Sequence, residues 1–167
     1  MKIPPSVKDV SVWLSITSLG VLVGATVFQM FVLVSEYSRD IPQGMVDFAN
    51  SPVEPGKYWT APVILVSYLF PFLALAFNWR TPRRKWLLIA TILFFFVVGV
   101  TDLYFIPRLR LMGLTTSSQP TADLALLAAT VKEWVFADQL RFWLLIIPSF
   151  FLTLKAATTP LSATKAE

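Results

Sequence analysis

The chain has 167 residues, 56% of them hydrophobic and 14% charged, with a formal net charge of +4 and a mean hydropathy of +0.66. An ordinary soluble domain carries about a quarter charged residues, so this balance points to the bilayer. The absence of Cys and His excludes disulfides and thiolate metal sites and removes the commonest metal ligand, the usual haem ligand and the usual general base.

Residues 1–8 are a short polar lead in which Lys2 and Lys8 flank Pro4 and Pro5. Asp9 to Val34 is the first predicted span; Val12 to Val34 alone gives about 23 residues, roughly 34 Å of helix. This run exceeds the roughly 7–15 apolar residues of a signal-peptide core, and no A-x-A site follows, so a retained helix is expected. Gly20 and Gly24 form a G-x-x-x-G pair with Thr17 nearby, expected to serve packing within the molecule rather than a dimer seam. Ser18, Ala25, Gln29 and Glu36 lie on the other side. Gln29, an amide in the outer half of a span, needs partners.

Ser35 to Tyr58 is a polar loop with Pro and Gly turn signals, long enough to hold a short interfacial helix or lid. Tyr58 and Trp59 read as interface anchors. The second span is expected from Thr60, an N-cap with Pro62 just inside, to Asn78, with a kink at Pro71. The connector NWRTPRRKW then places Arg80, Arg83, Arg84 and Lys85 between Trp79 and Trp86. Four cations in so short a loop put it, and both termini, on the cytoplasmic side.

The third span runs from Trp86 to Phe105, with Asp102 about one turn short of its outer end. Pro107 is expected to stop the helix, and Arg108 and Arg110 follow at once. Met112 to Gln119 is loop. Pro120 reads as the first residue of a helix capped by Ser118 or Gln119, amphipathic through Leu124, Leu127, Val131 and Trp134. That helix either breaks near Trp134 or runs into the last span, where Pro148 introduces a kink. The predicted fold is all-α: an integral membrane four-helix bundle, residues 1–155, with spans at about 10–34, 60–78, 86–105 and 136–154 and an extra amphipathic helical segment before the last. Residues 156–167 read as a mobile cytoplasmic tail.

With spans alternating in direction, the polar residues fall at one depth. Gln29 and Glu36, Asp102, and Asp138 with Arg141 all lie in the outer part of their spans, and Arg108 and Arg110 sit just above. Trp134, Asp138 and Arg141 share a helical face by their i, i+4, i+7 spacing. A charge within a span costs a few kcal/mol, so Asp102 or Asp138 is expected to pair with Arg141. The resulting site has Asp102, Asp138 and Arg141 as catalytic candidates and Gln29, Tyr104, Arg108, Arg110 and Trp134 around the substrate. A carboxylate would take a proton while Arg141 or Arg108 stabilises the oxyanion. Tyr68 is a further hydroxyl donor, although core or interface is the commoner place for such a residue. No metal and no cofactor are expected. The partners are membrane lipids, a hydrophobic small molecule and, in a competing reading, a protein partner docked on the segment Pro120 to Trp134 by a non-catalytic subunit or assembly factor. Nucleic acid is not among them. A small transporter would need internal repeats or ionisable groups near the midplane, and neither is present.

The Gly-rich first span GVLVGATVFQ, the exit YFIPRLRLMG from the third, and Trp134 four residues before Asp138 and seven before Arg141 carry a resemblance covering most of the chain. In these motifs and in its four-span layout the chain resembles the anthrone oxygenase-like membrane proteins. The resemblance implies chemistry like that of cofactor-free oxygenases that turn a polyketide anthrone into a quinone. The positions it carries over are Trp134, Arg141 and the turn from Pro107 to Arg110. That family often has His where Asp138 stands here, a departure that bears on any His-based proton transfer.

Overall fold

A computed structural model describes residues 3–41, 43–45, 62–114 and 123–161. Tyr58, Trp59, the cap at Thr60, the helix start at Ser118 to Pro120, most of the first loop and the end of the tail lie outside the described residues. All regular structure among the described residues is helical, in four rods and a short stretch at residues 43–45. The first rod is α1 (Pro5–Phe28), a π turn (Gln29–Leu33) and α2 (Val34–Ser38); the second is α3 (Pro62–Phe77). The third is α4 (Arg84–Val100), a π turn (Thr101–Phe105) and α5 (Ile106–Leu111). The fourth is α6 (Leu124–Arg141), a π turn (Phe142–Ile146) and α7 (Ile147–Ala157).

Pro5–Glu36, Arg84–Leu111 and Leu124–Ala157 are each long and apolar enough to cross a membrane, and Val66–Phe77 is a shorter apolar helix. Only about a third of the most apolar window in each long helix is buried inside the protein. Phe31, Leu103, Phe136 and Leu144 all face outward, Leu103 with 84% exposure. So much outward apolar surface is unusual for a monomer in water and suits a hydrocarbon solvent.

The rods pack in a ring: first on second, second on third, third on fourth and fourth on first. Successive rods run in opposite directions, as the contacts at the two ends show. At one end, the Arg83 guanidinium donates to Asp9 Oδ1 at 2.5 Å and to the carbonyls of Thr159 at 2.7 Å and Ala157 at 3.4 Å. Asn78 Nδ2 there donates to the Lys8 carbonyl at 3.2 Å. One buried arginine thus ties the start of the first rod to the end of the fourth, satisfying carbonyls that a helix C-terminus leaves open. Above this clamp lie three apolar layers, built on Val12, Ala74, Leu87 and Ala156, then on Leu19, Phe94, Phe142 and Ile146, then on Phe105, Leu127, Val131 and Trp134.

Several expectations are corrected. Pro107 does not stop the third helix, which continues to Leu111. The π turn before it already leaves backbone carbonyls without their usual donors, so a residue lacking an N–H is accommodated. Of the two courses open to the amphipathic segment the second holds: α6 runs through the π turn into α7 rather than breaking near Trp134. It begins at Leu124, with the Asp123 carboxylate accepting from the N–H groups of Ala125 and Leu126 at 3.0 and 3.1 Å. The glycine pair does not form a close seam within the fold. A Cβ on Gly20 would meet Phe150 at an ordinary 3.6 Å, and one on Gly24 would meet nothing within 4 Å.

Candidate functional site

The three π turns mark the level of the polar residues. In each, one backbone N–H reaches five residues back instead of four: Val34 to Gln29, Ile106 to Thr101 and Ile147 to Phe142. The extra residue re-aims the side chains around it, and such turns recur at functional sites. Gln29 opens the first π turn, Thr101 opens the second, and Arg141 immediately precedes the third.

These residues meet. Asp138, 1% exposed, accepts from Gln29 Nε2 at 3.2 Å on one carboxylate oxygen and from an Arg141 terminal nitrogen on the other. The other terminal nitrogen of Arg141 donates to Thr101 Oγ1 at 2.8 Å, and that hydroxyl donates to the Val97 carbonyl at 2.6 Å. The guanidinium carbon lies 4.2 Å from the centroid of the Phe105 ring, so the cation faces an aromatic floor. Phe105 itself is fixed edge-to-face against Trp134, with centroids 5.7 Å apart. The result is an ion pair inside an apolar shell, bonded to three of the four rods.

One donor is left over. Arg141 Nε is buried and has no hydrogen-bond partner among the described residues. The second rod approaches the same region through Tyr68, half-buried against Phe94 at a centroid distance of 5.4 Å. Its hydroxyl lies within electrostatic reach of both Arg141 and Asp102.

Of the residues singled out from the sequence, Gln29, Asp138 and Arg141 come together. Asp102 does not join them; it is exposed and makes no ion pair or hydrogen bond among the described residues. The reason is angular. Thr101 faces Arg141, and the next residue of a helix points roughly 100° away. Tyr104 and Arg108 form a separate group nearer the helix ends. Arg108 stacks on the Tyr104 ring at 3.5 Å and reaches Glu133 at 3.3 Å. Arg110 and Glu36 are exposed, and Trp134 is a packed core residue. Phe105 and Thr101 were not anticipated as parts of the site. A hydroxyl beside Asp102 was the one available signal for Thr101, and nothing in a run of aromatics distinguishes Phe105.

Two hollows among the described residues lie elsewhere. One, of about 240 Å³, is an apolar groove between α1 and α3 bordered by Leu14, Val21, Val66 and Phe70. The other, of about 420 Å³, sits on the connector between α3 and α4. No group of three or more acidic residues that might hold a metal ion occurs among the described residues. Comparison with protein-family models, curated proteins and solved structures returned no match.

Proposed function

We propose that the chain is a four-span membrane protein with both termini cytoplasmic, and that Arg141 receives the oxygen end of a hydrophobic, aromatic or quinone-like molecule drawn from the bilayer. Three long apolar rods and a shorter fourth support the layout, and the cations of the α3–α4 connector support the orientation. The observation that carries the ligand reading is the spare Arg141 Nε–H. A buried donor without an acceptor costs about 1–3 kcal/mol, and a ligand carbonyl or phenolate oxygen would recover it. Phe105 beneath the guanidinium and the half-buried Tyr68 give the walls an aromatic character suited to a flat ring.

The family resemblance supplies a reaction for such a site: an anthrone and O2 give a quinone and water. In that scheme Asp138 takes the proton of the enolisable ring and Arg141 stays on the resulting oxyanion. The electron-rich anion reacts with O2, and the adduct loses water to leave the second carbonyl. Asp102, exposed and away from the pair, has no part in it.

A second reading is favoured by one observation: Asp138 and Arg141 close directly on each other, with both carboxylate oxygens engaged. In that case the pair locks the rods together in a non-catalytic subunit whose partner binds outside the membrane. Extraction of the purified protein into organic solvent, followed by mass spectrometry, separates the two. The ligand reading predicts a lipid-soluble aromatic molecule in stoichiometric amount, absent from the double variant Asp138→Leu/Arg141→Met. A second polypeptide retained equally by both proteins, with no such molecule in either, would establish the subunit reading instead.

A further inference from the structure

The connector between α3 and α4 sorts its side chains by direction. Asn78, Thr81 and Arg83 turn inward and are buried. Asn78 binds the first rod, Thr81 Oγ1 donates to the Asn78 carbonyl at 2.9 Å, and Arg83 forms the clamp on Asp9 and the last helix. Backbone bonds from Thr81 to Asn78 at 3.0 Å and from Arg84 to Thr81 at 3.1 Å set the turn. Trp79, Arg80, Arg84 and Lys85 point outward and are exposed.

The outward set, with Thr81 and Pro82, borders the hollow of about 420 Å³. Arg84 stacks on Trp79 at 5.4 Å, and Lys85 Nζ lies 4.6 Å from the Trp86 ring. Arg80, Arg84 and Lys85 make no ion pair among the described residues, and no acidic side chain borders the hollow. Three unpaired cations and two tryptophans at the end of apolar helices occupy the level where lipid phosphates lie. Below it, Phe72 and Phe95 meet edge-to-face at 4.9 Å, both outward-facing, on the seam between α3 and α4. Phe72 lies within α3, seven residues before Trp79 and on the membrane side of the connector.

We propose that this hollow binds the headgroup of an anionic phospholipid, with Arg80, Arg84 and Lys85 on the phosphate and an acyl chain laid along Phe72 and Phe95. The apolar seam continuing from the cationic hollow is what commits the site to a lipid rather than to free phosphate. A solvated loop whose charges only orient the protein needs neither the stacked tryptophans nor the seam.

Native mass spectrometry of the full chain in detergent tests this, using phosphatidylglycerol and phosphatidylcholine of identical acyl chains. Retention of phosphatidylglycerol is expected to exceed that of phosphatidylcholine by roughly tenfold. Arg80→Gln/Arg84→Gln/Lys85→Gln should bring the two to parity. Lys8→Gln/Lys155→Gln, which removes cations from the same end but outside the hollow, should change nothing. If the triple variant does not fold, Trp79→Leu, which keeps every charge, must by itself lower phosphatidylglycerol retention severalfold. Equal retention of both lipids, loss in the Lys8/Lys155 variant matching that in the triple variant, unaltered retention in the triple or Trp79→Leu variant, or displacement of the lipid by millimolar inorganic phosphate would each overturn the proposal.

Discussion

Asp138 is held by donors from two different rods, and Arg141 hands the connection to a third through Thr101. Removing one partner of such a pair differs sharply from removing both. Arg141→Met leaves a buried carboxylate without its cation and should cost about 3–5 kcal/mol, read as a large fall in the detergent-solubilised unfolding temperature. Asp138→Leu/Arg141→Met replaces the pair by apolar groups of similar volume and should stay within about 2 kcal/mol of the parent. A double variant as unstable as the single one would show that the cost lies in packing rather than charge. Gln29→Leu removes one bond to the carboxylate and should cost about 1.5–3 kcal/mol, less than Arg141→Met. At this scale the sequence was partly legible. The spacing of Trp134, Asp138 and Arg141 put them on one inward face, and Gln29 announced a need for partners that Asp138 meets. Asp102 and Asp138 are not separable from the sequence, because both fall in the outer part of their spans within reach of Arg141. Which carboxylate turns inward depends on about 100° of helix rotation, and an unseen π turn alters that rotation.

The π turns decide how the elements present their side chains. Thr101–Phe105 carries one residue more than an α-helix would, and Leu103, the most outward-facing side chain in that stretch, has no packing to lose. Deleting Leu103 removes that extra residue and should restore α-helical hydrogen bonding with α4 and α5 left in nearly the same relative orientation. The expected result is unchanged helical content and a nearly unchanged unfolding temperature, followed by circular dichroism. A large fall in the unfolding temperature would show instead that α5 had turned away from the fourth rod. Pro107 and Pro148 were read from the sequence as a stop and a kink, because proline in a regular α-helix costs an N–H bond and a clash. The helix runs on past Pro107 to Leu111, and each proline stands two residues behind a π turn. Side-chain patterning carries no record of that backbone shift, which is why it escaped the sequence.

For the whole molecule, composition points to the membrane and the basic connector to the orientation proposed, while the arrangement of the rods is harder to read. Apolar side chains face both the protein interior and the bilayer, so Phe94, 2% exposed, and its neighbours Phe95 and Phe96, 56% and 59% exposed, look alike in sequence. The orientation is open to direct test, since the chain has no cysteine of its own. With the charge of the connector kept intact, Asp40→Cys should react with a membrane-impermeant thiol reagent on intact cells and Thr158→Cys only after lysis. The reverse pattern would invert the assigned sides. The proposed function requires the buried cluster to be a binding centre. Its most direct measurement is equilibrium binding of a hydroxyanthrone and of a short-chain benzoquinone to the protein in lipid nanodiscs, beside the Asp138→Leu/Arg141→Met variant. Saturable one-to-one binding of at least one probe, abolished in the variant while it remains folded at the assay temperature, is the predicted result; binding that the variant retains in full, or no saturable binding by the parent protein, would contradict it.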